Sequence, residues 1–367
     1  MTTRRSFLKS AGSLSGLVFC GCGLPLAAHA QTAAPARLPV TVKGKRIKTV
    51  DVHAHCYFQE ALDIAGVKVE NVIAPVKGIP EHFVGTASVL DKRLAGMDAM
   101  GIDMEILSIN PFWYRAERDK AEAICKTNNE KLAELCGQKP DRFGAFASLP
   151  MQFPDLAVTM LEAAIRKQGL KGAAIGGSVA GDDFARPKYH PVLKKAEELG
   201  AVLFIHPQST PQLAERFKGN GWLGNTIGNP LDTTIALQHL IFQGALDKFP
   251  GLKVIAAHGG GYLPSYAMRG DHACFVAPTN CDPNIQLKKK PSEYLNQLYF
   301  DAMVFSGEGL RHLVAQVGPS QIVLGTDHPI PWEQHPVDHV MGTPISDEDK
   351  MAILGENAAK LFGLKSG

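Results

Sequence analysis

The chain has 367 residues, of which 45% are hydrophobic and 20% charged, with a formal net charge of +2. A chain of this length can bury a large core, and the near-neutral charge gives neither the basic footprint of a nucleic-acid-binding protein nor a polybasic membrane surface. The composition therefore indicates a globular protein and excludes nucleic acid as a partner.

The first thirty residues predict an export signal rather than part of the fold. The twin arginine of Arg4 and Arg5 is followed by Phe and Leu, an apolar run and the small-residue sequence AHA. No later segment has the roughly 18 consecutive apolar residues that cross a membrane. We expect a twin-arginine signal peptide over 1–30, a linker over 31–45, and a periplasmic mature protein with no membrane span.

Removing this signal takes away three positive charges and no acid, so the formal charge falls from +2 to −1. Five cysteines remain, too few for a disulfide scaffold in so long a chain. Cys125 and Cys136 lie on one predicted helix, where eleven residues span about 16 Å, so they cannot bridge each other. Cys274 and Cys281 are near enough to pair, and the sequence leaves open whether they do.

Short apolar runs alternate with amphipathic segments along the mature chain. Periodicity predicts helices over 116–137, 155–168 and 187–199, the last ended by Gly200 at the C-cap, and a final helix over ISDEDKMAILGENAAKLFG. Seven helix-length segments separate eight strand-like runs: IKTVDVHAH, IDMEILSIN, RFGAFASLP, LKGAAIGGS, AVLFIHPQ, LKVIAAHGG, QLYFDAM and QIVLGTDHP.

This alternation predicts an α/β fold, a closed parallel (β/α)₈ TIM-type barrel that forms a single domain over 46–367. An open doubly wound sheet is the alternative, but no Gly-rich phosphate-binding turn follows the first strand. The segment 58–89 and the sequence FKGNGWLGNTIGNP are too long for plain connections, so we expect loops or lids at the strand ends.

Polar side chains follow four of the predicted strands. His53 and His55 end the first strand and project from the same face, because residues two apart on a strand do so. His206, His258 and Asp327 close the fifth, sixth and eighth strands. Catalytic groups collect at the C-terminal strand ends of such barrels, and imidazoles with one carboxylate suit Zn²⁺ and also accept Mn²⁺ or Fe²⁺.

The chain resembles the decarboxylase-type branch of the amidohydrolase superfamily, the branch that includes aminocarboxymuconate semialdehyde decarboxylase. The resemblance runs from about residue 49 to residue 364. HxH alone is common, whereas HGGG and GTDHP in this order are strong markers. The segments that carry the resemblance are DVHAH, MDAMGIDMEIL, FIHP, HGGGYLPSYAMRGD, PSEYL before YFDAMVF, VLGTDHP and ILGENAAKLFGL.

The resemblance implies that His53, His55, His206 and Asp327 hold one divalent metal ion, with Zn²⁺ expected and no organic cofactor. It implies that His258 lies beside the metal without binding it and transfers protons, with Asp327 as the second catalytic residue. A free imidazole suits that role, because its unperturbed pKa of about 6.5 lets it give and take a proton at working pH.

A second metal ion is not expected. In related barrels a modified lysine at the end of strand four bridges two ions, whereas this chain has Lys171 near the start of that strand and only Gly and Ser at its end. The resemblance also implies a homodimer in which Arg269 enters the neighbouring subunit's site and grips a substrate carboxylate with its planar fork.

The expected activity is non-oxidative decarboxylation of an aromatic or muconate-type carboxylic acid. The family's muconate enzyme has a further carboxylate-binding arginine after strand one, where this chain offers only Lys68 and Lys77, and an aromatic residue where this chain has Gln208. Aromatic acids are therefore at least as well suited. Phe112, Trp113 and Tyr114 either stack on such a ring or belong to the core or a lid.

Two other functions use the same residues. A mononuclear hydrolase of an ester, lactone or amide is the main alternative, and a non-catalytic exported metal-binding protein would have no need of His258. Asp301 is either a polar group of the site or structural. His328, His335 and His339 follow the last strand and are expected to be loop residues rather than ligands.

Overall fold

The structure, a computed structural model, describes residues 39–72, 76, 82–332 and 335–364. The predicted signal peptide, most of the predicted linker and Lys77 lie outside these residues. None of the described helices is both long and apolar enough to span a membrane. At the boundary between the predicted linker and the predicted barrel domain, Thr41–Val42 pairs with Lys45–Arg46 in a hairpin that buries Val40 and Val42.

The eight predicted strands are present and form a closed parallel barrel. Each strand pairs in parallel with the next one along the chain. The barrel closes where the Val52 N–H donates to the Leu324 carbonyl at 2.9 Å and the His55 N–H to the His328 carbonyl at 2.7 Å. The strands are β1 (Val50–His55), β2 (Met104–Ser108), β3 (Phe143–Ala145 and Ala147–Ser148), β4 (Gly172–Ile175), β5 (Val202–Ile205), β6 (Lys253–Ala256), β7 (Leu298–Asp301) and β8 (Ile322–Val323).

Helices follow the strands around the barrel. The described α-helices are α1 (Gln59–Ala65), α2 (Ala87–Met100), α3 (Arg118–Gln138), α4 (Pro154–Arg166), α5 (His190–Leu199), α6 (Asn229–Phe242), α7 (Ala245–Lys248), α8 (Leu263–Val276), α9 (Gly307–Val317), α10 (Pro336–Gly342), α11 (Asp347–Met351) and α12 (Asn357–Phe362). Shorter 3₁₀ turns occur at Val69–Asn71, Pro187–Tyr189, Pro211–Phe217, His258–Gly260, Pro278–Asn280, Pro291–Gln297 and Pro319–Gln321, and a second hairpin pairs Ser178–Val179 with Asp182–Asp183.

The predicted helices are confirmed with small changes at their ends. Helix α5 begins three residues later than expected because Pro187–Tyr189 forms a 3₁₀ turn, and Gly200 ends it with a φ of 63°. The final predicted helix is interrupted by a π turn at Ala352–Glu356. There the chain passes close to the first strand, since a β-carbon on Gly355 would lie 1.9 Å from the Lys48 carbonyl oxygen.

Alternate residues of the strands fill the barrel interior with apolar side chains. The stacked rings of Phe146 and Phe204, 5.4 Å apart, lie beneath His53, whose ring centroid is 5.1 Å from that of Phe204. Burial of each large apolar side chain contributes about 1.5–3 kcal/mol to the free energy of folding, so this layer stabilises the barrel beneath the strand ends. It consists of Val50, Val52, Met104, Ile106, Phe146, Ala174, Val202, Phe204, Ile255, Ala257 and Val323, with Ala358, Leu361 and Phe362 of α12.

The two segments predicted as loops or lids lie at the C-terminal ends of the strands. The described part of 58–89 contains α1 and the turn Val69–Asn71, and the Gly-rich segment contains a π turn, Gly224–Gly228, that leads into α6. Both contribute side chains to the cavity described below.

A disulfide joins Cys274, in the last turn of α8, to Cys281 in the following segment. Their Cα atoms are 5.7 Å apart. The other described cysteines, Cys56, Cys125 and Cys136, are free thiols. The bond answers the question that the sequence leaves open.

Candidate metal centre

The four predicted ligands converge at the C-terminal end of the barrel. One ligand atom from each of His53, His55, His206 and Asp327 lies within 4.8 Å of the others, and all four residues are buried. The Nε2 atoms of His53 and His55 are 3.1 Å apart, and Asp327 Oδ1 lies 2.6 Å from His55 Nε2. The end of β1 and the residues that follow β5 and β8 thus bring four side chains to one point.

Hydrogen bonds fix the orientation of two of these rings. His53 Nδ1 lies 2.6 Å from Asp301 Oδ2, and His206 Nδ1 lies 3.0 Å from the Pro207 carbonyl oxygen. A carboxylate and a carbonyl accept hydrogen bonds only, so both Nδ1 atoms carry the hydrogen and donate it. In the neutral ring, Nε2 is then left with a lone pair that faces the cluster.

The third ring is held in the same way. His55 Nδ1 lies 3.0 Å from Ser108 Oγ, and the Ser108 hydroxyl donates to the Ala54 carbonyl at 3.1 Å. Because the serine hydrogen is used in that bond, Ser108 accepts the hydrogen bond from His55. When all three rings are neutral, each therefore turns an Nε2 lone pair inward.

Three lone pairs and a carboxylate oxygen that face one another repel, and a cation bound between them would turn this repulsion into attraction. His206 Nε2 finds no hydrogen-bond partner among the described residues. Burial favours the neutral acid, but His53 and His55 outweigh it and hold the pKa of Asp327 well below its usual value. The donor set thus fits one divalent transition-metal ion.

The carboxylates of Asp327 and Asp301 both favour a positive charge on the His53 ring. Burial alone would lower the pKa of this ring, yet Asp327 and Asp301 raise it to about 10. A proton and a metal ion compete for His53 Nε2, so metal binding strengthens as pH rises.

Asp301 organises the site rather than facing a ligand. Its Oδ2 accepts from His53 Nδ1 and from the His258 backbone N–H at 2.9 Å, and its Oδ1 accepts from the backbone N–H groups of Gly259 at 2.8 Å and Met303 at 3.1 Å. The side chain is fully buried. One carboxylate therefore orients a candidate ligand and also holds the backbone of His258.

We expect Asp301→Asn to weaken metal binding by about 10- to 100-fold, the usual effect of losing a partner that orients a ligand. Both carboxylate oxygens of Asp301 accept hydrogen bonds from N–H groups. In the asparagine variant one of these oxygens is replaced by an NH₂ group, which cannot accept a hydrogen bond. Metal titration against a competing chelator measures the change. Asp338→Asn, at a side chain that is 81% exposed, is the matched control. Equal affinities in the two variants would contradict this role.

His258 lies beside the cluster but is not one of the four converging residues. Its ring centroid is 5.1 Å from that of His53 and 5.3 Å from that of His206, and its Nδ1 has no hydrogen-bond partner within the described part of the chain. Burial first, and the neighbouring His53 next, lower the pKa of His258 to about 4, so its ring is neutral at pH 7.

A cavity of about 550 Å³ opens onto the cluster. It is lined by Phe112 but by neither of the next two aromatic residues. Trp113 is buried and donates from Nε1 to the Leu149 carbonyl at 2.8 Å, and the Tyr114 hydroxyl accepts from the Gly176 N–H at 3.2 Å. Of the three aromatic candidates, only Phe112 is therefore placed to meet a substrate.

A family model described as Amidohydrolase matches residues 50–364. The chain belongs to the amidohydrolase family. This match confirms the resemblance that the DVHAH, HGGG and GTDHP motifs indicate.

Proteins similar to this amidohydrolase include decarboxylases. A gamma-resorcylate decarboxylase of Rhizobium sp. (strain MTP-10005) is 33% identical over 75% of this chain and 88% of that protein. A 2-amino-3-carboxymuconate-6-semialdehyde decarboxylase of Dictyostelium discoideum is 31% identical over 75% of this chain and 76% of that protein. A solved dihydroxybenzoic acid decarboxylase from Polaromonas sp. JS666, with bound manganese and the inhibitor 2-nitroresorcinol, is 28% identical over 87% of this chain and 97% of that chain, with a TM-score of 0.74.

A buried ion pair that the motifs do not indicate braces the metal centre of this amidohydrolase. Arg93 of α2 donates from Nε to Glu105 at 2.7 Å and from a terminal nitrogen to the His55 carbonyl at 2.8 Å. Glu105 also lies 2.6 Å from His328 Nδ1. The only sequence signal is a glutamate inside the apolar run MEILS. His328 is thus outside the cluster, as expected, but anchors the segment that follows Asp327.

Arg269 lies elsewhere on the same chain. It is exposed on α8 and lines a separate cavity of about 960 Å³ beside the disulfide, not the cavity at the cluster. Its predicted role in a neighbouring subunit's site stays a prediction.

Proposed function

We propose that this amidohydrolase is a metal-dependent, non-oxidative decarboxylase of an aromatic carboxylic acid. The observation that carries the proposal is the buried cluster of three inward-facing imidazoles and one carboxylate, with an uncommitted imidazole, His258, beside it. Similarity to decarboxylases of gamma-resorcylate and of a muconate semialdehyde supports this reaction over the hydrolase alternative. Phe112 and Trp222 in the cavity wall favour an aromatic acid.

The proposed ligands are His53, His55, His206 and Asp327, which hold one divalent ion per chain. Three nitrogen donors and one oxygen donor suit Zn²⁺, and Mn²⁺ is its main competitor because the Polaromonas structure contains manganese. Such an ion supplies Lewis-acid chemistry, which holds and polarises the oxygen atoms of the bound acid. No organic cofactor is needed, since the aromatic ring, protonated at the carbon that bears the carboxylate, itself accepts the electron pair of the breaking bond.

Residues of this chain supply the proton transfer and the positioning that the reaction also requires. During the reaction the bond between the ring carbon and the carboxylate carbon breaks, its electron pair stays on the ring carbon, and CO₂ leaves. One proton is consumed in forming the new C–H bond. Because its ring is neutral at pH 7, His258 takes up a proton from solvent and passes it to the ring carbon, and Asp301 holds the His258 backbone in place by accepting its N–H. Asp327 keeps its negative charge and helps to fix the ligand set.

We further propose that the working unit is a homodimer in which Arg269 pairs with the substrate carboxylate in the partner's site. Helix α8 exposes apolar side chains that a second copy of the chain would cover. A stable interface of this kind buries on the order of 1,000 Å² or more. The exposed side chains are Tyr266, Met268, Phe275 and Val276, at 61%, 65%, 87% and 75% exposure.

Export to the periplasm by the twin-arginine route completes the proposal. The signal lies outside the described residues, but the Cys274–Cys281 disulfide supports an oxidising compartment, where such bonds persist.

Metal analysis and a CO₂-release screen of the purified mature protein test this function. We expect about one transition-metal ion per chain and CO₂ release from at least one aromatic acid among aromatic and muconate-type acids. Chelator-treated protein is the control and should release none. Two ions per chain would defeat the mononuclear assignment. Hydrolysis of esters, lactones or amides without release of CO₂ from any acid would establish the hydrolase instead.

A further inference from the structure

Another cavity, of about 520 Å³, adjoins the cavity at the cluster; these two are called the second and the first cavity below. The second cavity is lined by His258 but by none of the four cluster residues. The first cavity is lined by three of the cluster residues but not by His258. Asn225 and Asn229 line both, so the two cavities meet at these side chains. The candidate metal and the candidate proton donor are thus approached from different cavities.

The walls of the two cavities differ in character. The first presents side-chain amides from several segments, those of Asn71, Asn110 and Gln208. The second is mostly apolar, and an apolar wall gains from covering an apolar group rather than from holding ordered water. Its apolar lining includes Tyr262, Met303, Val304, Phe305 and Trp332.

Three aromatic rings stand where the cavities adjoin. Trp332 stacks on Trp222, with ring centroids 5.5 Å apart and planes inclined by 11°, and Phe305 contacts Trp332 at 5.9 Å. Trp222 lines the first cavity, whereas Trp332 and Phe305 line the second. They come from the loops after β5, β7 and β8, so three separate loops cooperate in building this wall.

Backbone strain is concentrated around the same two cavities. Among the described residues, seven that are not glycine have a positive φ, and five of these line one cavity or the other. Positive φ is unfavourable for a bulky side chain, and such strain persists where the surrounding structure imposes it, commonly at functional sites. The five are Ser209, Trp222, His258, Phe305 and Asp327. Two of the five, His258 and Phe305, line the second cavity, and the other three line the first.

We propose that the second cavity is a substrate subsite that takes an apolar group, preferably an aromatic ring, attached to the ring of the acid. This inference rests on the proposed decarboxylase function. An acid whose oxygen atoms the metal would hold and whose ring carbon His258 would protonate must lie between the cluster and His258, where the two cavities meet, so a substrate extends into both. Each cavity alone is within the roughly 300–1,000 Å³ of small-molecule sites, so together they suit an acid larger than a single-ring hydroxybenzoic acid.

Calorimetric binding to the metal-loaded protein tests the subsite without relying on turnover. The probes are 2-hydroxybenzoic acid and a set of its monophenyl derivatives. Burial of one added phenyl group should make the best derivative bind about 10- to 100-fold more tightly than the parent acid. Derivatives that all bind no better than the parent, or do not bind, would overturn the proposal.

Matched substitutions locate the effect. Val304→Phe fills the second cavity and should remove most of the phenyl preference, whereas Val67→Phe puts the same side chain into the first cavity and should leave the preference in place. Thr226→Trp fills the second cavity from an exposed position and serves if Val304→Phe does not fold. Equal loss of preference on filling either cavity would place the phenyl group outside the proposed subsite.

The binding data also separate this inference from the proposed function. A phenyl preference that Val304→Phe abolishes, in a protein that releases no CO₂, would support the subsite and refute the decarboxylase. CO₂ release from aromatic acids without any phenyl preference would do the reverse.

Discussion

His258→Ala is expected to lower decarboxylase activity by about 10²- to 10⁴-fold, the usual contribution of a general acid or base, while the protein keeps most of its metal. The reason is positional. The ring lies next to His53 and His206, with centroids 5.1 and 5.3 Å away, yet it is not among the four residues whose ligand atoms converge. Alanine removes the proton donor and leaves the ligand set complete.

Two controls make this prediction specific. His53→Ala should lose metal and activity together, because it removes one of four ligands. A variant at His190, which begins α5 and lies away from the proposed dimer surface on α8, should retain both, because that histidine lines neither cavity at the metal centre. Metal content and the rate of CO₂ release are measured on each variant. Full activity of His258→Ala would end the proton-transfer assignment.

Features set by local sequence pattern could be predicted. His53 and His55 share a face because they are two residues apart on one strand, and His206, His258 and Asp327 each end an apolar run that is recognisable by itself. The barrel then brings these ends together, since all parallel strands finish at one rim. The strand count and the gathering of these five residues at one rim follow from those rules, whereas the choice of four of them as ligands is what the family resemblance implies.

Features that depend on distant residues could not be predicted in the same way. Asp301 contacts His53 across 248 positions, and nothing in YFDAM shows which hydrogen bonds its carboxylate accepts. Trp222 and Trp332 stack although each lies in an irregular loop, where no periodicity fixes the direction of a side chain. The bond between Cys274 and Cys281 likewise depends on how the chain turns after α8.

The position of Arg269 is informative for the same reason. A substrate-binding arginine that worked in its own chain would line the cavity at the cluster, and Arg269 lines a different one, on the helix that exposes Phe275 and Val276. A role in catalysis therefore requires a second copy of the chain. Assembly and substrate binding become one question, which hybrid dimers can answer.

Arg269→Ala should weaken substrate binding and leave metal content intact, and co-expression with His258→Ala should restore activity. In a hybrid dimer, the subunit that carries Arg269→Ala keeps its own His258 and receives Arg269 from its partner, so one of the two sites is complete. Random pairing makes about half of all dimers hybrid, so up to about a quarter of wild-type activity should return. Differently tagged copies allow the hybrids to be isolated and assayed. Two tagged copies of Arg269→Ala, paired with each other, are the control and should show no recovery. Isolated hybrids without recovered activity would place Arg269 outside the partner's site and remove the main reason for expecting a dimer.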